Sequence, residues 1–281
     1  MQCSKCSRNA IVFQSYSGLH LCDQHVAEDV KAKAKKMIRA HQWLKYGDHI
    51  SVVLSDNKSV ALLYFLKQLT AERRDIRISA ITINQESTGF DINSHARRIA
   101  ELLDTECFTG SSEDESVTVF DTNSQKAKDL SPSVYCHPHR YLSLDKVAQQ
   151  HGVTKIALGI TLDDAACAVL ESVIRGDVER LGFKHCVETI PRISPFISVT
   201  AAEVSLYAAY CGFKNEPAIR QDLGDGLHKD TVALLDRFTN NHPATKYALM
   251  NLGKNPAGFP GGISGLIRAC EWLQKIPAVV L

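Results

Sequence analysis

The sequence predicts an α/β fold: a mostly parallel sheet with helices on both faces, preceded by a small metal-binding module. Three observations lead there. Apolar, β-branched runs alternate with helical periods from Asp48 onward. The runs are continuously apolar, which marks strands buried on both faces. Ahead of them the chain carries Cys and His at ligand spacing where a hydrophobic pattern would otherwise stand.

The first element reads Cys3-Ser-Lys-Cys6, then Cys22-Asp-Gln-His25, with Ser17-Gly18 at a turn between them. Each pair sits on one tight knuckle, so the segment delivers four tetrahedral ligands and leaves no open position for water, as in a structural Zn²⁺ site. Cys3, Cys6, Cys22 and His25 are therefore the expected zinc ligands, closing a module too small to bury a core of its own. Next comes Val30-Lys-Ala-Lys-Ala-Lys-Lys-Met-Ile-Arg39, all good helix formers with no breaker. Its Lys31, Lys33, Lys35, Lys36 and Arg39 form either a solvated helix face or a phosphate-contacting surface. Charge patterning alone leaves both open.

A strand is expected over His49 to Leu54, a helix over Ser59 to Leu69, a strand over Ile76 to Ile83 and a helix over Asn93 to Leu103. Residues 110–116 and 122–133 are polar and turn-rich and read as loops. A helix around Leu142 to His151, a strand over Lys155 to Leu158 and a helix from Leu162 to Arg175 follow. From Thr200 the chain reads as largely helical, interrupted at Gly224-Asp-Gly226 and at Asn255 to Gly262. The expected organisation is a zinc knuckle at 1–28, an α/β domain at 29–225 and a helical region at 226–281.

A 44% hydrophobic and 22% charged composition suits a globular protein, and a net charge of +1 argues against a general attraction to nucleic acid while leaving room for a local basic patch. No apolar run is long enough to span a bilayer and no secretory leader is visible, so no membrane partner and a cytoplasmic placement are expected. Of nine cysteines, those outside the zinc set are scattered and read as buried small hydrophobes; Cys136 alone lies in a suggestive setting.

In a parallel sheet, ligands bind at the carboxyl ends of strands where strand order reverses. Ser55-Asp56-Asn57-Lys58-Ser59 occupies such a place, between an apolar strand and a helix whose positive end can face an anion. The loop resembles the PP-loop of the N-type ATP pyrophosphatases, where Ser-Gly-Gly-x-Asp-Ser cradles the phosphates of ATP. Asp56 and Asn57 stand where that family has glycines, and the loop is one residue short when Ser59-Val-Ala-Leu-Leu63 is aligned on Ser-x-x-Leu-Leu. Asp and Asn tolerate the left-handed backbone that glycine supplies, but Asp56 sets a carboxylate against polyphosphate unless Lys58 or Mg²⁺ compensates.

Downstream, Gly159-Ile-Thr-Leu162-Asp163-Asp164-Ala-Ala and Ile174-Arg175-Gly176-Asp177 resemble the Gly-His-Asn, Leu-Asp-Asp-Glu-Ala and Leu-Arg-Gly-Asp pattern of tRNA 2-thiolation enzymes. Ile160 and Thr161 replace that family's histidine and asparagine. Thr161 to Asp164 also reads as a capping box, so helix capping and a functional role both remain open for the two acids. Pro191 to Phe196 and Ala202-Glu203-Val204 to Tyr210 resemble the family's substrate-side segment, and the resemblance runs from Cys3 to about Tyr210.

The resemblance implies a Rossmann-like PP-loop fold, of the adenine nucleotide α-hydrolase type. It implies an enzyme that uses ATP with Mg²⁺ to adenylate a tRNA base oxygen before sulfur replaces it. Ser55, Asp56, Asn57, Lys58, Ser59 and Gly159 would form the nucleotide seat, Asp163 or Asp164 would hold Mg²⁺ or orient the base, Arg140 would neutralise charge and Cys136 would carry sulfur. The implied partners are tRNA, a sulfur-carrier protein and a second copy or a heteromeric thiolation complex. Family members carry three cysteines for a cluster or for sulfur activation. Here Cys136-His-Pro-His139 retains one of the first pair and Asn215 to Ile219 has none, so an iron–sulfur cluster is not expected; Cys136 and His139 would either bind another metal or sit in a plain loop. The alternative reading is a non-catalytic paralogue that keeps the fold and the tRNA surface without ATP turnover. A third is a nucleotide-binding regulator with no RNA surface.

Overall fold

The computed structural model describes residues 1–84, 92–111, 138–176, 189–213 and 226–254. Two compact units emerge: Met1–Thr161 with Glu188–Leu223, and Leu162–Val187 with Gly224–Leu281.

The first unit opens with an antiparallel pair, β1 (Val12–Gln14) and β2 (Leu19–Leu21), joined through Gly18 at φ +70°, a left-handed position that glycine occupies without a Cβ clash. Cys22 stands at the N-cap of α1 (Asp23–His41). The helix thus begins inside the zinc knuckle, seven residues before the predicted stretch, where Asp23 suits its positive end; hydrophobic periodicity does not reveal such a start.

The sheet follows, with β3 (His49–Val53), β4 (Arg77–Asn84), β5 (Cys107–Ser111), β6 (Lys155–Ala157) and β7 (Arg192–Ile193) in the spatial order β5-β4-β3-β6-β7. Every pairing is parallel. All five residues of β3 are buried, as a central strand covered on both faces requires. The intervening helices are α2 (Asn57–Thr70), α3 (Ile92–Leu102) and α4 (Pro138–Gln150), with α6 (Ala201–Tyr210) after β7. α2 buries Val60, Ala61, Leu62, Leu63, Phe65 and Leu66, on more than one side, because it lies between the sheet and α6. Each large apolar side chain among them contributes about 1.5–3 kcal/mol of burial.

Two strands differ from expectation. β5 takes in Gly110 and Ser111, which read as loop. Gly110 is there for space: a Cβ would lie 2.6 Å from Val147 Cγ2 and 2.8 Å from Ile83 Cδ1. β7 is two residues long, between Pro191 and Pro195, too short to show a period.

The second unit packs α5 (Leu162–Arg175), α7 (Gly226–Asn241) and α8 (Thr245–Lys254) around Ala166, Cys167, Val169 and Leu235. Among the described residues, no helix is long and apolar enough to cross a membrane.

Candidate functional site

The four expected zinc ligands converge. Cys3 Sγ and Cys22 Sγ each lie 3.3 Å from His25 Nδ1, and Cys6 Sγ lies 3.7 Å from Cys22 Sγ. The Lys5 N–H donates to Cys3 Sγ at 3.4 Å, as a tight knuckle does, and Glu28 stands 3.8 Å from the other ring nitrogen of His25, where it can orient the imidazole. Burial pushes the Cys3 thiol up, but backbone donors and His25 outweigh it and bring it to about 6. For Cys6 an Arg8 backbone donor favours the thiolate, yet burial and the crowding of Cys22 and Cys3 leave the thiol raised. A divalent cation among the four donors would favour every thiolate at once.

Strand order reverses at β3. β3 leads to α2 and β4 on one side, while β6, reached through α4, pairs on the other side of β3. The loops after β3 and β6 are thus neighbours at the carboxyl edge, the place such sheets offer a ligand. They touch: a Cβ on Gly159 would fall 2.9 Å from Ser59 N and 3.1 Å from Ser59 Cα. Only glycine fits there.

Asp56 is the N-cap of α2. Its Oδ1 accepts the Ser59 N–H at 2.9 Å, while Ser59 Oγ accepts the N–H groups of Ser55 and Asp56 at 3.0 and 3.1 Å and donates to the Asp56 carbonyl at 2.6 Å. Lys58 Nζ stands 3.6 Å from Asp56 Oδ2. The carboxylate therefore takes, from within the chain, a helix N-terminus that would otherwise be offered to a phosphate.

In the second unit Asp163 and Asp164 occupy the first turn of α5. Lys246 Nζ contacts Asp163 Oδ1 at 2.7 Å and Asp236 Oδ1 at 2.9 Å. Burial alone would lower the Lys246 ammonium, but the two carboxylates raise it. Arg140 falls within α4; Cys136 lies outside the described residues.

The basic residues of α1 divide by face. Lys33 is not part of an open surface: its Nζ contacts Asp29 at 2.7 Å and Glu203 at 3.3 Å, and it hydrogen-bonds Tyr16. Lys31 lies over the Tyr207 ring. Lys35, Lys36 and Arg39 are exposed, and Lys35 and Arg39 line a cavity of about 550 Å³ with Ile38, Gln42, Leu44, Lys45 and Leu69. Beside it His41 stacks on Trp43 at 4.8 Å and Tyr46 is 88% exposed.

Glu203 has a role that sequence reasoning misses. It is buried, accepts from Gln14 Nε2 at 2.6 Å and from Tyr16, and closes a capping box with Thr200. The Thr-x-x-Glu spacing before an apolar run is the signal that could have found it.

A family model for the N-terminal LIM domain of the 2-thiouridine synthetase TtuA matches residues 2–25. The chain is 28% identical over 276 residues to the tRNA 2-thiolation protein NcsA of Haloferax volcanii, covering 89% of this chain and 85% of that protein. It is 24% identical over 255 residues to the tRNA-5-methyluridine(54) 2-sulfurtransferase of Pyrococcus horikoshii, covering 88% and 80%. The U34-tRNA thiolase NcsA of Methanococcus maripaludis, solved with its [4Fe-4S] cluster, superimposes with a TM-score of 0.77 at 23% identity, over 96% of this chain and 88% of that one. The resemblance to tRNA 2-thiolation enzymes and the PP-loop-type fold behind a zinc-binding module both hold. The expectation against an iron–sulfur cluster is corrected: a protein of this fold carries one, and missing cysteines at two matching positions were not sufficient ground to exclude it.

Proposed function

We propose that this protein is a cytoplasmic tRNA 2-thiolation enzyme that adenylates a uridine-type base and replaces its oxygen by sulfur. The observation that carries this reading is the reversal of strand order at β3, where the loops after β3 and β6 meet and Gly159 lets the N-terminus of α2 approach within van der Waals contact. In this reading Ser55, Asn57 and Lys58 seat phosphates, and the buried Ser59 holds the loop in shape through Ser55 and Asp56. Asp163 or Asp164 holds Mg²⁺ or orients the base, and Arg140 neutralises charge. The base oxygen attacks the α-phosphorus and pyrophosphate departs; sulfur then attacks the base carbon and AMP leaves. Positioning and electrostatics supply the catalysis in such transfers. Proteins named for U34 and for position 54 both resemble the chain, and base activation followed by sulfur insertion is the chemistry a thiolation at either position requires.

Two metal groups belong to this reading. Cys3, Cys6, Cys22 and His25 hold a structural Zn²⁺. An iron–sulfur cluster would use the Cys136 thiolate, and His137 and His139 are the neighbouring imidazoles, a donor type that replaces cysteine on one iron of Rieske [2Fe–2S] centres. When bound, it would hold or activate the incoming sulfur.

The exposed Lys35, Lys36, Arg39 and Lys45 beside Tyr46 support a tRNA surface, since cations spaced over a concave face contact phosphates and an exposed aromatic ring offers a stacking platform.

The test is calorimetric titration of the zinc-loaded protein with ATP and Mg²⁺, repeated on Lys58→Ala and Asp56→Gly. Micromolar binding that weakens about tenfold or more in Lys58→Ala, or about 1.4 kcal/mol, and strengthens in Asp56→Gly is expected. No heat at millimolar nucleotide in any of the three would overturn the adenylating reading and leave a tRNA-binding paralogue.

A further inference from the structure

We infer that Cys167, Glu171 and His228 form a second metal site, for a borderline divalent cation of the Zn²⁺ class, that ties α5 to α7 within the second unit. None of the three belongs to the N-terminal module or to the nucleotide and tRNA surfaces described above.

The donor atoms converge on one point. Cys167 Sγ lies 3.4 Å from Glu171 Oε1 and 3.7 Å from His228 Nδ1, and Glu171 Oε1 lies 2.6 Å from His228 Nδ1. The first two separations match those among the zinc-module donors, 3.3 to 3.7 Å. Three atoms so spaced lie on a circle of about 1.9 Å radius, so a cation just off their plane stands about 2.1 Å from each, close to zinc bond lengths. Widening the oxygen–nitrogen edge to about 3.3 Å completes a tetrahedral corner and leaves one position for water.

The chemistry of the set favours a metal over the two alternatives. In a nucleophile–base–orienter triad the thiol and the carboxylate engage opposite ring nitrogens, whereas here both face Nδ1. Cys167 and Glu171 are each 4% exposed, so the thiol is too enclosed to serve as a nucleophile. A plain Glu–His ion pair would not call for a sulfur at ligand distance from both partners. Glu171 follows Cys167 by four residues on one helix face, and the His228 side chain, 35% exposed, supplies both the third donor and the entry path. Sulfur, imidazole and carboxylate together suit Zn²⁺ better than Mg²⁺ or Ca²⁺, which take oxygen alone. Binding expels the Cys167 proton, so the site gains a thiolate as the cation enters.

The experiment titrates chelator-stripped, reduced, full-length protein with Co²⁺ under anaerobic conditions, reading thiolate-to-cobalt charge-transfer absorbance and stoichiometry. Two equivalents are expected in the wild type and one in His228→Ala, whose partly exposed position makes it the variant that keeps the fold; Cys167→Ser should repeat the loss. Cys22→Ser should remove the other equivalent, and Cys136→Ser should leave both. One equivalent in the wild type, or a second equivalent that survives in both His228→Ala and Cys167→Ser, would overturn the site. Loss of the second equivalent in Cys136→Ser would do the same by assigning it elsewhere.

Discussion

Asp56 was legible as a substitution and not as a structure. The residue pattern showed a carboxylate where polyphosphate belongs; the fold adds that it caps α2 through the Ser59 N–H. The Asp-x-x-Ser spacing that makes this capping box is a local signal, overshadowed by alignment to a glycine loop. Glycine at an N-cap costs only a few tenths of a kcal/mol relative to aspartate, so Asp56→Gly isolates the electrostatic effect on ATP without unravelling the helix. His49 carries another residue-scale consequence. It is 7% exposed on the central strand, and its Nε2 lies 2.9 Å from Ser79 Oγ. Burial, then the Arg77 guanidinium, hold its imidazole below the ordinary 6.5. The unfolded chain therefore takes up a proton at His49 before the folded one does, and stability falls as pH drops below 6.5. Urea midpoints measured from pH 7 to about 5 should decline for the wild type and decline less for His49→Gln. Equal slopes would refute the assignment.

At the scale of elements, α2, α3, β3, β4 and β6 were readable because each is a long or continuous apolar pattern, whereas β5 and β7 exist through pairing. Cys107 to Ser111 forms a strand only because β4 offers a parallel edge and Val147 needs the space that Gly110 leaves. α1 shows the same limit. Five cations in ten residues read as one patch, yet a helix turns about 100° per residue, and the fold directs Lys33 inward to Asp29 and Glu203 while Lys35, Lys36 and Arg39 face outward. Reversing Lys35, Lys36 and Arg39 to Glu should weaken tRNA binding at low salt by at least tenfold. It should also flatten the dependence of log K on log salt by about one unit for each phosphate no longer neutralised, as filter binding at several salt concentrations would show. A salt slope identical to wild type would remove α1 from the RNA surface. Lys33→Glu would instead place a third carboxylate beside Asp29 and Glu203, so its effect should be a drop in stability.

For the molecule as a whole, the ligand spacing announced the zinc module but not how the module is held. Hydrophobic packing runs from Leu21 and Cys22 through α1 into the core of the first unit, and the buried Glu203 on α6 receives Gln14 from the module's hairpin and Lys33 from α1. A long-range polar seam of this kind leaves no periodic trace, since Gln14 and Glu203 lie 189 residues apart. Its consequence is thermodynamic coupling between the metal and the α/β body. Removing zinc releases the knuckle that positions β1, and with it Gln14 and Tyr16, two of the donors to Glu203; replacing Glu203 by Ala cuts the same seam from the other side. Breaking one partner of a buried charge network costs about 3–5 kcal/mol, so each change alone should lower the unfolding midpoint markedly. Because both act on one seam, chelation should destabilise Glu203→Ala by clearly less than it destabilises the wild type, a coupling of about 0.5–3 kcal/mol in a double-perturbation cycle. Strictly additive losses in thermal or urea unfolding would show that the module folds on its own account and that Glu203 serves α6 alone.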